Sequence, residues 1–122
     1  MEDLDSISML EFQTQLIDPD ITVLKLTGRM HLGNRLSDAE SAAARIIAEC
    51  KRKLVLDITG VDYIDSAALG MLLITTGNMR KAGGQVILAG AAQRVLDIVK
   101  VTHTGEVLNL QESVDAAVKA FA

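Results

Sequence analysis

Asp65 and Ser66 stand together where an extended segment gives way to a helical pattern. A serine at such a position can be a helix cap, a catalytic nucleophile or a phosphate acceptor. Catalysis is disfavoured, because no G-x-S-x-G turn surrounds Ser66 and His31, the nearest candidate base, lacks an evident orienting acid. The other two roles are compatible, since a kinase can reach a hydroxyl at an exposed helix start, and backbone amides there stabilise a phosphate.

The other residues of chemical interest are isolated in the sequence. Asp57 follows an apolar run, as in receiver domains, but the other residues that a receiver domain needs are missing. His31 and His103 do not have the spacing of metal ligands, and Cys50 falls on the apolar stripe of a predicted helix, which favours a small core residue. No glycine-rich phosphate loop is present. We therefore expect no catalysis, no metal and no cofactor.

Composition narrows the class of protein further. A chain of 122 residues is typical of one domain, and with 49% hydrophobic but only 2% aromatic residues its core must be aliphatic. The net charge of -4 argues against a nucleic-acid partner. One cysteine leaves no intramolecular disulfide, and no apolar run reaches the roughly 20 residues of a membrane span. The acidic N-terminus is unlike a secretory signal, so we expect a cytoplasmic protein.

Hydrophobic periodicity predicts the element order β-β-α-β-α-β-α-β-α. The predicted strands are 10–17, 21–28, 54–58, 85–90 and 106–110, and the predicted helices are 34–50, 66–84, 91–101 and 112–121. Asp18-Pro19-Asp20 predicts a turn between the first two strands. Asn34 or Ser37 is the predicted cap of the first helix, with Ser37 and Glu40 as a capping box.

Alternating strands and helices after an initial hairpin indicate a single α/β domain. We predict a mixed, mainly parallel sheet of four or five strands with about four helices over residues 10–122. A flexible N-terminal extension over residues 1–9 is predicted to precede it.

Three segments resemble the STAS domain of bacterial anti-sigma factor antagonists. They are GRMHL (28–32), LVLDITGVDYIDSAALGML (54–72) and GGQVILAGAAQRVLDIVKVT (83–102). The resemblance extends over nearly the whole chain from about residue 10, with the same order of elements. It implies a STAS fold and a role as a protein-binding switch without enzymatic activity.

In that family the serine after the aspartate is phosphorylated by a partner that is both anti-sigma factor and serine kinase. The resemblance therefore implies that Ser66 is the phosphorylation site and that phosphorylation releases the sequestered partner. A phosphatase is implied as a further partner, and the domain is expected to be a monomer or a weak dimer. The implied partner-binding residues are Gly28, Arg29, Met30, His31, Leu32, Asp62, Tyr63, Asp65, Ala67, Ala68 and Leu69.

Two positions depart from the family pattern. Ala67 and Ala68 stand where the family usually has Ser or Thr and then Gly, and His31 replaces an aspartate that helps to engage the kinase. These departures favour an alternative function, a STAS scaffold without a phosphate cycle. Such a scaffold would belong to a transporter or to a stressosome-like complex.

Overall fold

The computed structural model of the protein describes residues 9–18 and 20–121. The predicted turn at Pro19 and residues 1–8 of the predicted extension lie outside the described residues. The strands are β1 Glu11–Asp18, β2 Ile21–Met30, β3 Lys53–Ile64, β4 Gln85–Ala89 and β5 Leu110–Gln111. The helices are α1 Leu36–Ala48, α2 Ser66–Lys81, α3 Gln93–Thr102 and α4 Val114–Ala120.

The five strands form one mixed sheet in the order β1-β2-β3-β4-β5. β1 pairs antiparallel with β2, and every other neighbouring pair is parallel. The prediction of a mainly parallel sheet with one hairpin is therefore confirmed. β4 pairs with β3 only over Lys53–Asp57, so the second half of β3 pairs with β2 alone.

Aliphatic side chains fill both faces of this sheet. Residues of α1, α2 and α3 join one core cluster, together with Leu24, Leu56 and Leu88 of the central strands. A smaller cluster on Val23, Val55 and Ile87 is covered by α4. Burial on two faces explains why the run from Leu54 to Leu56 is continuously apolar.

Helix α1 begins later and ends earlier than the predicted range 34–50. The N-cap is Arg35, in the left-handed conformation with φ 60°, and no side chain caps the helix. The predicted caps are wrong: the amide of Asn34 donates to the Arg29 carbonyl at 2.8 Å, and Ser37 lies exposed within the helix. Cys50 is exposed with φ 64°, beyond the helix end, so it is not the predicted core residue.

Two strand predictions also change. Residues 105–107 form a turn and residues 108–109 lie outside any strand. Only Leu110–Gln111 pair with β4, so the fifth strand is shorter and later than predicted. β3 is longer than the predicted 54–58 and continues to Ile64, so Asp57 lies inside the strand and not at its end. The second half of β3 was not predicted because its exposed and buried residues do not alternate. Residues 59–60 and residues 62–63 are each exposed as a consecutive pair.

Those exposed pairs coincide with shifts in the register of β2 and β3. At the first shift, Lys25 is opposite Asp57 and Thr27 is opposite Gly60. At the second shift, Gly28 is opposite Val61 and Arg29 is opposite Tyr63. β3 therefore carries an extra residue at each shift, which is the arrangement of a β-bulge. The shifts bring the ends of β2 and β3 together, directly before α2.

Because one side of α2 packs on the core, we predict that two similar side-chain truncations on this helix lower the free energy of unfolding by different amounts. Leu72 is 0% exposed and Ile74 is 54% exposed on the same helix. Leu72→Ala should lower the free energy of unfolding by about 2–5 kcal/mol, because it leaves a cavity. Ile74→Ala deletes the same number of carbon atoms and should cost about 0.5 kcal/mol. Urea denaturation of both variants measures the difference, and equal costs would contradict this orientation of α2.

Candidate functional site

Asp65, not Ser66, caps helix α2. Its Oδ1 accepts a hydrogen bond from the Ala68 amide at 2.8 Å, and its carbonyl accepts from the Leu69 amide at 3.0 Å. Ser66 is the first helical residue and is exposed. Within the described part of the chain, no group forms a hydrogen bond with the Ser66 hydroxyl. The cap and the exposed hydroxyl are therefore two adjacent residues with separate roles.

The second oxygen of Asp65 binds the turn that follows β2. Oδ2 accepts from the Leu32 amide at 3.0 Å, and the Asp65 amide donates to the Met30 carbonyl at 3.1 Å. Although partial burial raises the pKa of the Asp65 carboxyl, the hydrogen bonds from Leu32 and Ala68 and the nearby His31 outweigh burial and lower it. A charged Asp65 thus joins the β2–α1 turn to the start of α2.

Three side chains form a cluster beside this junction. The rings of His31 and Tyr63 meet edge to face, with centroids 6.1 Å apart and planes at 74°. The guanidinium carbon of Arg29 lies 5.8 Å from the centroid of the Tyr63 ring. His31 Nδ1 is 3.0 Å from the Leu32 carbonyl oxygen, to which it donates. The ordered surface therefore extends from Ser66 across β3 and β2.

The structure brings the predicted partner-binding residues together, but not all of them can contact a partner. Arg29, Leu32, Asp62, Tyr63 and Ser66 are exposed, and Leu32 reaches 76%. Gly28, His31, Asp65 and Ala67 are partly exposed. Met30 and Ala68 are 0% exposed and Leu69 is 7% exposed, because their side chains belong to the core. These three residues are therefore removed from the predicted contact surface.

A groove next to Ser66 was missed from the sequence. It has a volume of about 370 Å³ and lies between the β2–α1 turn, α1 and α2. Its lining comprises Leu32, Gly33, Arg35, Leu36, Ser37, Glu40, Ala67 and Met71. The helical spacing of Leu36 and Glu40 indicates that they share one side of α1. Only the packing of α1 against α2 shows that this side faces Ala67, the residue after Ser66.

The hydroxyl groups of Thr59, Thr75 and Thr76 are less available to a kinase than that of Ser66. Thr75 and Thr76 are each 4% exposed. The hydroxyl of Thr59 donates to Asp57 Oδ1 at 2.6 Å, and the Thr59 amide donates to the same oxygen at 3.1 Å. Thr59 is exposed but lies within β3. Its hydroxyl would have to leave Asp57 before it could accept a phosphate.

Within the described residues, no three His, Cys, Asp or Glu side chains gather in an arrangement that could hold a metal ion. None of the helices described is both long and apolar enough to cross a membrane.

Comparison with known proteins assigns the family. The model of the STAS domain matches residues 13–117, and the chain belongs to this family. BtrV of Bordetella bronchiseptica, which is named as an anti-sigma factor antagonist, is 27% identical over 88 residues, covering 70% of this chain and 76% of BtrV. The resemblance inferred from the sequence is thereby confirmed.

Solved structures show the same fold at low sequence identity. An anti-sigma factor antagonist from Mycobacterium paratuberculosis superimposes with a TM-score of 0.82 at 18% identity, over 93% of this chain and 94% of that one. Bacillus SpoIIAA in its phosphorylated form gives a TM-score of 0.71 at 13% identity, over 92% of this chain and 100% of SpoIIAA. The element order and the mixed sheet are therefore those of a STAS domain.

The double role of Asp65 predicts a pH-dependent loss of stability on mutation. Asp65→Ala should lower the free energy of unfolding at pH 7 by about 1–3 kcal/mol, since it removes both the cap and the bond to Leu32. The folded-state pKa of Asp65 is lowered, so its contribution is complete above the unfolded pKa of about 4 and is lost as the pH falls through the folded value. The difference between parent and variant should therefore shrink below about pH 4.

Denaturant melts from pH 7 to pH 2 measure this difference. Asp62→Ala is the matched control, because Asp62 is exposed and its removal should change stability by no more than about 0.5 kcal/mol. A gap between parent and Asp65→Ala that stays constant down to pH 2 would contradict the assigned role of the carboxylate.

Proposed function

We propose that this protein is a cytoplasmic anti-sigma factor antagonist whose activity is switched by phosphorylation of Ser66. The unmodified domain binds an anti-sigma factor through the surface around Ser66 and keeps it from its sigma factor. The same partner acts as a serine kinase, and transfer of phosphate to Ser66 releases it. The observation that carries this proposal is the exposed Ser66 hydroxyl at the start of α2, beside a separate capping residue, in a STAS domain.

The chemistry requires only a hydroxyl from this chain. The kinase supplies Mg-ATP and a base that takes the proton of the Ser66 hydroxyl. The Ser66 Oγ forms a bond to the γ-phosphorus of ATP, the bond from that phosphorus to the bridging oxygen breaks, and ADP leaves. The first turn of α2 offers amides to the product phosphate.

Release follows from electrostatics. A phosphoserine adds about 1.5 to 2 negative charges at pH 7. These charges would stand near Asp62, which is exposed, and next to Asp65, whose lowered pKa keeps it ionised. Burying such a group against a partner costs free energy unless the partner pairs with it. The fold itself need not change, because the cap of α2 uses Asp65 and not the Ser66 hydroxyl.

Phosphate mapping tests the proposed site. Each purified anti-sigma factor kinase of the source bacterium is incubated with this protein and Mg-ATP, and the product is digested for mass spectrometry. Phosphate should be found on Ser66 and not on Ser37, Thr59, Thr75 or Thr76. The scaffold alternative predicts that no kinase modifies Ser66, so an unmodified chain with every kinase would favour that alternative.

Substitutions at Ser66 test the switch. Ser66→Ala should keep the affinity for the anti-sigma factor and change stability by no more than about 0.5 kcal/mol, because Asp65 remains as the cap. Ser66→Asp should weaken binding, since it adds a negative charge at the docking surface. Isothermal titration with the unphosphorylated partner measures both affinities, and Ser41→Ala, at an exposed serine of α1 outside the groove next to Ser66, is the control. Ser66→Asp binding as tightly as the parent would exclude the switch.

A further inference from the structure

The register shift between β2 and β3 gives Tyr63 an orientation that alternation would not give it. Gly28 pairs with Val61 and Arg29 pairs with Tyr63, so Asp62 is the extra residue of a bulge. As a result Asp62 and Tyr63 are both exposed, although they are consecutive in a strand. The bulge thus places a large ring on the surface three residues before Ser66.

Gly28 makes the opposite strand fit this bulge. Its φ of +113° is one that residues with a Cβ rarely adopt, and a Cβ there would lie 3.1 Å from the Met9 carbonyl oxygen. The chain resumes regular pairing at Arg29, directly across from Tyr63. Arg29 and Tyr63 are therefore positioned by the backbone of two paired strands and not by a flexible loop.

Their side chains hold each other in place. The guanidinium carbon of Arg29 is 5.8 Å from the centre of the Tyr63 ring, within the range of a cation–π contact. The His31 ring packs edge to face on the same tyrosine. Tyr63 nevertheless remains 40% exposed. A rigid aromatic ring with an adjacent guanidinium is the composition typical of an interface hot spot.

The charge of Arg29 is not neutralised within the described part of the chain. Ion pairs there join Arg35 to Asp38 and Lys53 to Asp20, and neither involves Arg29. Asp62, the nearest carboxylate along β3, forms no ion pair with it. Arg29 therefore presents hydrogen-bond donors that a planar anion can accept in a bidentate manner.

We propose that Arg29 and Tyr63 form the recognition site for an acidic side chain of the anti-sigma factor. Its carboxylate pairs with the Arg29 guanidinium, and an adjoining apolar side chain of the partner packs on the exposed face of Tyr63. This inference rests on the proposed function, because it names the chemistry of that partner. The partner segment is an acidic one, although this protein itself carries a net charge of -4.

A first experiment tests the site without the partner. The peptide acetyl-Leu-Glu-Glu-Leu-amide is added at millimolar concentrations to isotope-labelled protein, and the Arg29 side-chain Nε–H and Tyr63 ring signals are followed by NMR. Both should shift with the peptide and neither with acetyl-Leu-Lys-Lys-Leu-amide. Absence of a shift in both groups, or an equal response to the two peptides, would overturn the proposal.

A second experiment uses the purified anti-sigma factor that phosphorylates Ser66. Arg29→Gln should slow association at low salt about fivefold and flatten its dependence on ionic strength, as expected for a steering charge. Arg29→Lys should recover part of the rate, since it restores the charge without the planar fork. Arg94→Gln, an exposed arginine of α3, is the matched control and should stay within about twofold of the parent.

Two substitutions of Tyr63 distinguish the contribution of its ring packing to partner affinity from that of its hydroxyl hydrogen bonding. Tyr63→Ala should raise Kd about tenfold or more, whereas Tyr63→Phe should stay close to the parent because the ring face is retained. Circular dichroism confirms that each variant is folded.

Normal kinetics for Arg29→Gln and Tyr63→Ala, with Ser66 still phosphorylated, would overturn this inference and leave the proposed function intact. If no anti-sigma factor modifies Ser66, the proposed function fails. The peptide experiment then still decides whether Arg29 and Tyr63 bind a carboxylate.

Discussion

The carboxylate of Asp65 is the interaction on which the geometry of the site depends. One oxygen caps α2 through Ala68 and the other binds the Leu32 amide after β2. Hydrogen bonds to a charged acceptor are stronger than bonds between neutral groups. Because both bonds come from one side chain, the helix start and the β2–α1 turn cannot move independently while Asp65 is ionised. Leu32 and Ser66 are held together by this constraint, although they are far apart in the sequence.

The sheet explains why the site is accessible. β4 pairs with only the first half of β3, so β2 and β3 continue alone as a two-stranded extension toward α2. The surface of this extension carries Arg29 and Tyr63, which are paired across the two strands. Its bulges are the reason that polar and aromatic side chains point outward where simple alternation would bury one of each pair.

The division of labour between Asp65 and Ser66 suits a modification site. If a serine served as the cap, phosphorylation would esterify the capping oxygen, and a phosphate oxygen would have to take over its hydrogen bond to the helix amide. Here the aspartate satisfies the Ala68 amide, so the adjacent Ser66 hydroxyl takes no part in the cap. Ala67 and Ala68, which depart from the family pattern, do not disturb this arrangement, because Ala68 contributes its backbone amide and a buried methyl group.

The sequence by itself determined the element order, the aliphatic core and the place of Ser66 at the start of a helix, because periodicity and cap chemistry are local properties. It also led to the family through the segment from Leu54 to Leu72, which carries a continuous strand, the Asp-Ser pair and a helix. It could not separate cap from acceptor between Asp65 and Ser66, since either residue type can cap.

Only the tertiary structure decided which predicted contact residues lie on the surface. Met30, Ala68 and Leu69 face the core because α2 packs over the sheet, whereas the bulge at Asp62 turns Tyr63 outward. Cys50 showed the limit of periodicity: its spacing fits the apolar stripe, but the helix ends before it at Ala48. The second bond of Asp65 to Leu32 joins residues 33 positions apart. Such a contact depends on the parallel pairing of β2 with β3, which no local sequence pattern encodes.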